Sequence, residues 1–252
     1  MSQLESGSFE AVLAAVAGVE GWMSPDQARR LYDAAARTSA GDQIVEIGSF
    51  RGRSTVVLSS AAPAGVTVVA IDPHAGNDRG PQEIEGFAAE AAGDHEVFNA
   101  NLAAAGVADR VTHLRMFSDV AHGEVEGAIA VLYVDGAHRF APARTDIRDW
   151  GARVSDGGTL LIHDSFSSVG VTLAILRELM PGKRWRYVGR ARSMTEYRAD
   201  LEPTLAARLS NAGRQLAQLP WFVKNLLVKV MISAKLGPVM QRVTGRDPEW
   251  PY

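Results

Sequence analysis

Two segments carry acids and imidazoles at a spacing that can do proton or metal chemistry. Leu-Tyr-Val-Asp-Gly-Ala-His puts His138 three residues after Asp135, and Gly-Gly-Thr-Leu-Leu-Ile-His-Asp-Ser ends on His163, Asp164 and Ser165. Each follows an apolar run that reads as a buried strand. Carboxylates at the ends of adjacent parallel strands converge, because such strands lie about 5 Å apart. Two close carboxylates repel unless a cation lies between them or one keeps a proton. The chain has no cysteine, so any metal must take oxygen or imidazole donors, and a hard ion such as Mg²⁺ suits Asp135 and Asp164. An imidazole at His138 could accept a proton from a hydroxyl held there. The plainer alternative has Asp164 capping the helix that starts near Ser167 and Asp135 capping a turn. His163 reads as buried at its strand end, orienting a neighbour.

A second pair of segments suits a nucleoside. Ile44-Val-Glu-Ile-Gly-Ser-Phe-Arg-Gly-Arg-Ser-Thr55 is a buried strand, a tight loop and a helix start, with Gly48 and Gly52 four apart and Ser49 and Ser54 beside them. Neither a dinucleotide G-x-G-x-x-G nor a G-K-[ST] phosphate loop is present, so nucleoside binding without a strong phosphate cradle fits better. Glu46 lies inside an apolar strand, where a charge calls for a partner. Asp72, about 20 residues beyond the loop, ends Val-Val-Ala-Ile-Asp-Pro-His, where an open α/β sheet places a ribose-hydroxyl acceptor. A turn cap before Pro73 is the simpler alternative. His95, His113 and His122 belong to no constellation and read as surface or core residues. Trp22, Phe50 and Phe117 read as packing residues, although a base could stack on Phe117 beside Ser118.

The elements that must position these residues alternate. Strand patterns fall at Gln43–Ile47, Val66–Ile71, Val111–Arg115, Ala130–Val134 and Thr159–His163, each nearly continuously apolar, as in a parallel sheet covered on both faces. Trp185–Gly189 and Ser193–Tyr197 suit a terminal antiparallel pair. Ser24, Pro25 and Gln27 mark the start of a helix over Pro25–Arg37 by N-cap, first helical position and capping box. The expected fold is α/β, a Rossmann-like, doubly wound, mostly parallel seven-stranded sheet with helices on both faces. The expected organisation is an N-terminal helical cap over 1–38, a core over 39–200 and a basic amphipathic helical extension over 201–252. That extension carries seven basic residues against three acids, and it reads as covering the core or a dimer partner. A membrane surface or a bulky acceptor is the alternative.

Composition limits the classes. The chain has 252 residues and a net charge of −3, with 46% hydrophobic and 22% charged residues, ordinary values for a folded protein. The absence of a basic excess argues against a protein that coats nucleic acid. Met1–Glu10 is polar and no run of about 20 apolar residues occurs, so a cytoplasmic enzyme without a spanning segment is expected.

Taken in order, Gly-Trp-Met-Ser-Pro, Val-Glu-Ile-Gly-Ser-Phe-Arg-Gly-Arg-Ser-Thr, Ala-Ile-Asp-Pro-His, Val-Asp-Gly-Ala-His and Gly-Gly-Thr-Leu-Leu-Ile-His-Asp resemble class I S-adenosylmethionine-dependent methyltransferases, over roughly Gly21 to Arg198. Within that group the chain looks most like metal-dependent O-methyltransferases related to the macrolide-sugar enzymes, and more distantly like catechol O-methyltransferase. The resemblance implies S-adenosylmethionine as cofactor, with Glu46, Gly48, Ser49 and Gly52 around its methionine part and Ser54 and Asp135 also on the cofactor side. Asp72 would take the ribose hydroxyls, and Ser118 with Asp119 the adenine. Asp135 and Asp164 would bind Mg²⁺, and His138 would act as general base. Catechol enzymes have Lys at the His138 position and a ligating Asn at the Ser165 position, which argues against a catechol and leaves the third protein ligand open. The implied acceptor is a sugar hydroxyl on an oligosaccharide, polysaccharide, glycolipid or glycosylated natural product, with a phenolic small molecule as the alternative. A homo-oligomer is expected. A nicotinamide oxidoreductase and a non-catalytic binding subunit are the rival classes. The missing dinucleotide glycines count against the first and the Asp135, His138, Asp164 set against the second. Acceptor choice should lie in the N-terminal helices, the loop Gly76–Gly86 and the basic tail.

Overall fold

A computed structural model describes residues 8–76, 91–236, 242 and 250–251. The loop expected at Gly76–Gly86 lies, beyond Gly76, outside the described residues, as does most of the chain after Leu236. The described elements are α1 (Phe9–Ala15), α2 (Pro25–Ala36), β1 (Gln43–Ile47), α3 (Arg53–Ala61), β2 (Thr67–Ile71), α4 (Asp94–Ala104), β3 (Val111–Leu114), β4 (Ile129–Val134), α5 (Phe140–Thr145), β5 (Val154–Ile162), α6 (Val169–Glu178), β6 (Trp185–Ala191), β7 (Met194–Ala199), α7 (Leu205–Leu216) and α8 (Leu219–Ser233).

The seven strands form one sheet in the order β3-β2-β1-β4-β5-β7-β6. The first five are parallel, while β7 pairs antiparallel with both β5 and β6. The sheet is therefore mixed, with the terminal hairpin that the two late apolar runs suggest. β5 starts earlier than its apolar run, at Val154, and its register to β4 shifts between Ile129 and Val131. Gly158 allows this, since a Cβ there would stand 2.6 Å from Val154 Cγ1.

Side-chain alternation divides the sheet into two faces. Ile44, Val68, Ala70, Val131, Tyr133 and Leu161 pack with α1 to α4, while Val45, Ile47, Leu132, Val134, Leu160 and Ile162 pack toward α5 and α6. Trp221 and Phe222 of α8 join the second cluster. Strand order reverses between β1 and β4, which is where open α/β sheets bind ligands. There, backbone bonds run past the strand ends: Gly48 N donates to Ile71 O (2.9 Å), Asp135 N to Ile47 O (2.8 Å) and His163 N to Val134 O (3.0 Å). No described helix is long and apolar enough to cross a membrane.

Candidate active site

A cavity of about 1660 Å³ opens at the carboxyl edge of the sheet, larger than the ~300–1,000 Å³ of a single small-molecule site. Gly48, Asp72, Ser118, Asp119, Asp135, His138, His163 and Asp164 line it. Asp135 follows β4 and Asp164 follows β5, neighbours in the sheet, so the strand ends bring the two acids together as their spacing suggests. Asp135, His138 and Asp164 each offer a ligand atom, all within 4.8 Å of one another.

Imidazoles meet both carboxylates. His138 Nε2 lies 2.9 Å from Asp164 Oδ2, and His163 Nδ1 lies 3.2 Å from Asp135 Oδ1 and 3.6 Å from Asp164 Oδ2. Tyr133 donates its hydroxyl to Asp135 Oδ2 at 2.8 Å. Burial opposes charge on Asp164, yet His163 and His138 hold its carboxyl well below the usual range. Burial also opposes charge on both rings, but the Asp164 hydrogen bond and charge raise His138, and Asp135 and Asp164 raise His163 well above its ordinary value. Asp164 and Phe166 have φ of 52° and 54°, a left-handed backbone that side chains other than glycine adopt only at a cost. Ser165 turns inward, its hydroxyl donating to Ile162 O (2.8 Å) and meeting Thr195 Oγ1 (2.7 Å). It gives no donor to the cavity, and the residue grouped with the two acids as a possible third ligand is His138.

Gln27 was legible only as the N3 residue of a capping box. That box is present: Ser24 N donates to Gln27 Oε1 (2.7 Å) and Gln27 N to Ser24 Oγ (3.3 Å). With Oε1 so engaged, the amide NH₂ faces Ser193 Oγ and His163 Nε2, both at 3.3 Å. In the neutral His163 ring the proton then sits on Nδ1, toward Asp135. No local signal points to this contact, which joins residues 136 apart.

On the β2 and β3 side, Asp72 accepts from Phe50 N (2.8 Å) and His74 N (2.7 Å), and Phe50 and His74 take positive φ of 45° and 49° to reach it. Ser118 donates to Asp146 Oδ1 at 2.5 Å. Burial pushes the Asp146 carboxyl up to about 6, a group that the sequence did not single out. Trp22 and Phe117, expected to pack, are instead 54% and 49% exposed and line the cavity, with Trp22 beside Phe50 (ring centroids 5.5 Å apart). His113, expected to stand alone, stacks on His95 at 5.2 Å, and its Nε2 lies 3.2 Å from His74 Nε2. Burial and the two neighbouring imidazoles lower its pKa to about 4.

Glu46, Ser49, Gly52 and Ser54 are buried and are not among the residues lining the cavity. Glu46 is fully buried, accepts from Thr55 Oγ1, leaves Oε1 without a partner, and is pushed by burial up to about 8. Gly48 has φ 87°, and a Cβ there would stand 2.2 Å from Asp135 O, so glycine lets β1 approach the Asp135 loop. Gly52 begins α3 at φ 84°, and its Cβ would meet Leu102 at 2.8 Å.

The tail reaches the same cavity. Leu226, Lys229 and Val230 of α8 line it, together with Trp250. Asn225 fixes the helix by donating to Phe166 O at 2.8 Å.

Residues 45–165 match a family model described as a methyltransferase domain. Among solved structures, the chain is similar to cofactor-bound Rv0187 from MTB (20% identity, 77% of this chain and 89% of that one, TM-score 0.52). It is also similar to the O-methyltransferase from Bacillus cereus in complex with SAH (16%, 78% and 90%, 0.53). A third likeness is to the SAH-bound methyltransferase PaMTH1 of Podospora anserina (16%, 76% and 87%, 0.54). At these identities the likenesses speak for the fold.

Proposed function

We propose that the chain, whose residues 45–165 match a methyltransferase domain, is a methyltransferase that moves the methyl group of S-adenosylmethionine to a sugar hydroxyl with Mg²⁺ assistance. The observation that carries this reading is the convergence of Asp135, His138 and Asp164 on one wall of a cavity large enough for two ligands. Those donors fit a hard divalent ion, being two carboxylates on adjacent strand ends with an imidazole in reach. S-adenosylmethionine supplies a methyl group already activated by its sulfonium. Mg²⁺, when bound, supplies a Lewis acid that makes a nearby hydroxyl more acidic.

The chain's own residues do the rest. Asp72, its carboxylate pinned by two backbone N–H groups, presents itself to vicinal ribose hydroxyls. Ser118, Asp119 and Phe117 border the place for the base, and Gly48 lines the cavity at the end of β1. Asp135 and Asp164 would hold the ion, their carboxylates oriented by Tyr133 and His163. His138, made more basic by Asp164, takes the hydroxyl proton on its imidazole as the O–C bond forms and the S–C bond breaks.

The test is His138→Ala, read by methyl transfer and by Mg²⁺ calorimetry. A base predicts turnover down by roughly 10²–10⁴-fold with Mg²⁺ affinity kept. Full turnover would remove His138 from the chemistry, and a parallel loss of Mg²⁺ affinity would make it a ligand instead.

A further inference from the structure

Lys229 is a half-buried cation on the cavity wall, set between the apolar Leu226 and Val230 of α8. Its ammonium lies 5.1 Å from the Trp250 ring centroid, which holds the charge in place without neutralising it. Among the described residues no carboxylate stands within ion-pair distance of Lys229. Asp164 is the acid whose charge it feels, yet His138 and His163 already meet Asp164. Whether two imidazoliums or one divalent ion balance Asp135 and Asp164, the lysine charge is left over among the described residues. A cation kept partly out of water without a partner is unfavourable, so its place suits a ligand that brings the counter-charge.

Sheet order says which ligand. Asp72 and Asp119 stand beyond β2 and β3, whereas Lys229 belongs to α8, which Asn225 ties to Phe166 O just beyond β5. With strands about 4.8 Å apart, the ends of β2 and β5 are separated by roughly 14 Å. The acidic end suits the nucleoside and the cationic end lies beside the Asp135–Asp164 pair, where the acceptor oxygen must sit. We infer that Lys229 forms an anion-binding corner of the acceptor subsite, and that the acceptor sugar carries a carboxylate or a phosphate. This rests on the sugar O-methyltransferase reading above.

The test is calorimetric titration of the chain loaded with S-adenosylhomocysteine and Mg²⁺, using glucuronate and glucose 6-phosphate as probes and glucose as the neutral control. At least one anionic sugar is expected to bind about tenfold or more tightly than glucose. Lys229→Met should bring it down to the glucose level and Lys229→Arg should keep most of the preference. S-adenosylhomocysteine affinity should be equal in all three proteins. Equal binding of the three sugars by the unsubstituted chain would overturn the inference. So would a fall in S-adenosylhomocysteine affinity in Lys229→Met, which would assign the anion to the cofactor's own carboxylate. If the unsubstituted chain bound no S-adenosylhomocysteine, the methyltransferase reading itself would fail, a result distinct from either.

Discussion

Single residues in this cavity owe their proton affinities to where the fold buries them. Asp146 is 3% exposed and raised to about 6 by that burial, with Ser118 as its hydrogen-bond donor and Asp119 and Asp149 adding repulsion. Its folded pKa lies above the unfolded 3.8, so the folded state binds the proton more tightly. The resulting stability is fully present below about pH 4 and is lost as pH rises through about 6. The amount is on the order of 3 kcal/mol. Denaturant unfolding at pH 4.5 and 7.5 should therefore show a decline with pH that is shallower in Asp146→Asn by about that amount, with the buried Glu46 supplying a further decline in both proteins and the variant being more stable at pH 7.5. An unchanged slope in the variant would assign the pH dependence elsewhere. Asp135, His138 and Asp164 were legible in the sequence because parallel strands end at one edge of a sheet. Asp146 was not, because it lies in the wide turn after α5 with no strand end beside it. Its burial arises only when that turn folds against Ser118.

Elements, in turn, position side chains across long stretches of chain. The start of α2 was readable from Ser24, Pro25 and Gln27, and the capping box is there. The Gln27 amide also reaches Ser193 and the ring of His163, which joins the first long helix to the acid pair. Ser24→Ala should cost about 1 kcal/mol and leave the His163 ring where it is. Gln27→Leu should cost more, roughly 2–4 kcal/mol, because Ser24 N, Ser193 Oγ and His163 Nε2 all lose a partner inside the protein. Urea unfolding measures the costs, and the imidazole nitrogen resonances of His163 should move in the second variant alone. Close approach works the same way at the start of α6. A Cβ on Gly170 would stand 2.2 Å from His138 O, so glycine there sets how near α6 comes to the His138 loop.

Over the whole molecule, the tail determines what the cavity becomes. α7 is tied to the sheet by Asn211, whose Oδ1 accepts from Tyr187 N (2.8 Å) and whose Nδ2 donates to Leu179 O (2.9 Å). α8 then crosses to the cavity, held by the buried Asn225 against Phe166 O. Asn225→Ala should cost roughly 1–3 kcal/mol and release the helix first, so hydrogen exchange in 219–233 should speed up well before that of the strands. Equal protection in the variant would mean that the apolar contacts of Trp221 and Phe222 suffice. By itself the sequence determined the strands, their parallel run, the closing hairpin and the acids at the carboxyl edge. Apolar periodicity and strand-end chemistry are local, and a parallel sheet converts them into position by one rule. Only the tertiary structure decided that Glu46 and Ser54 are buried off the cavity lining, that His74, His95 and His113 gather together, and that Lys229 joins the cavity wall. Those facts depend on how elements far apart in sequence pack, and packing between distant elements leaves no periodic trace in the chain.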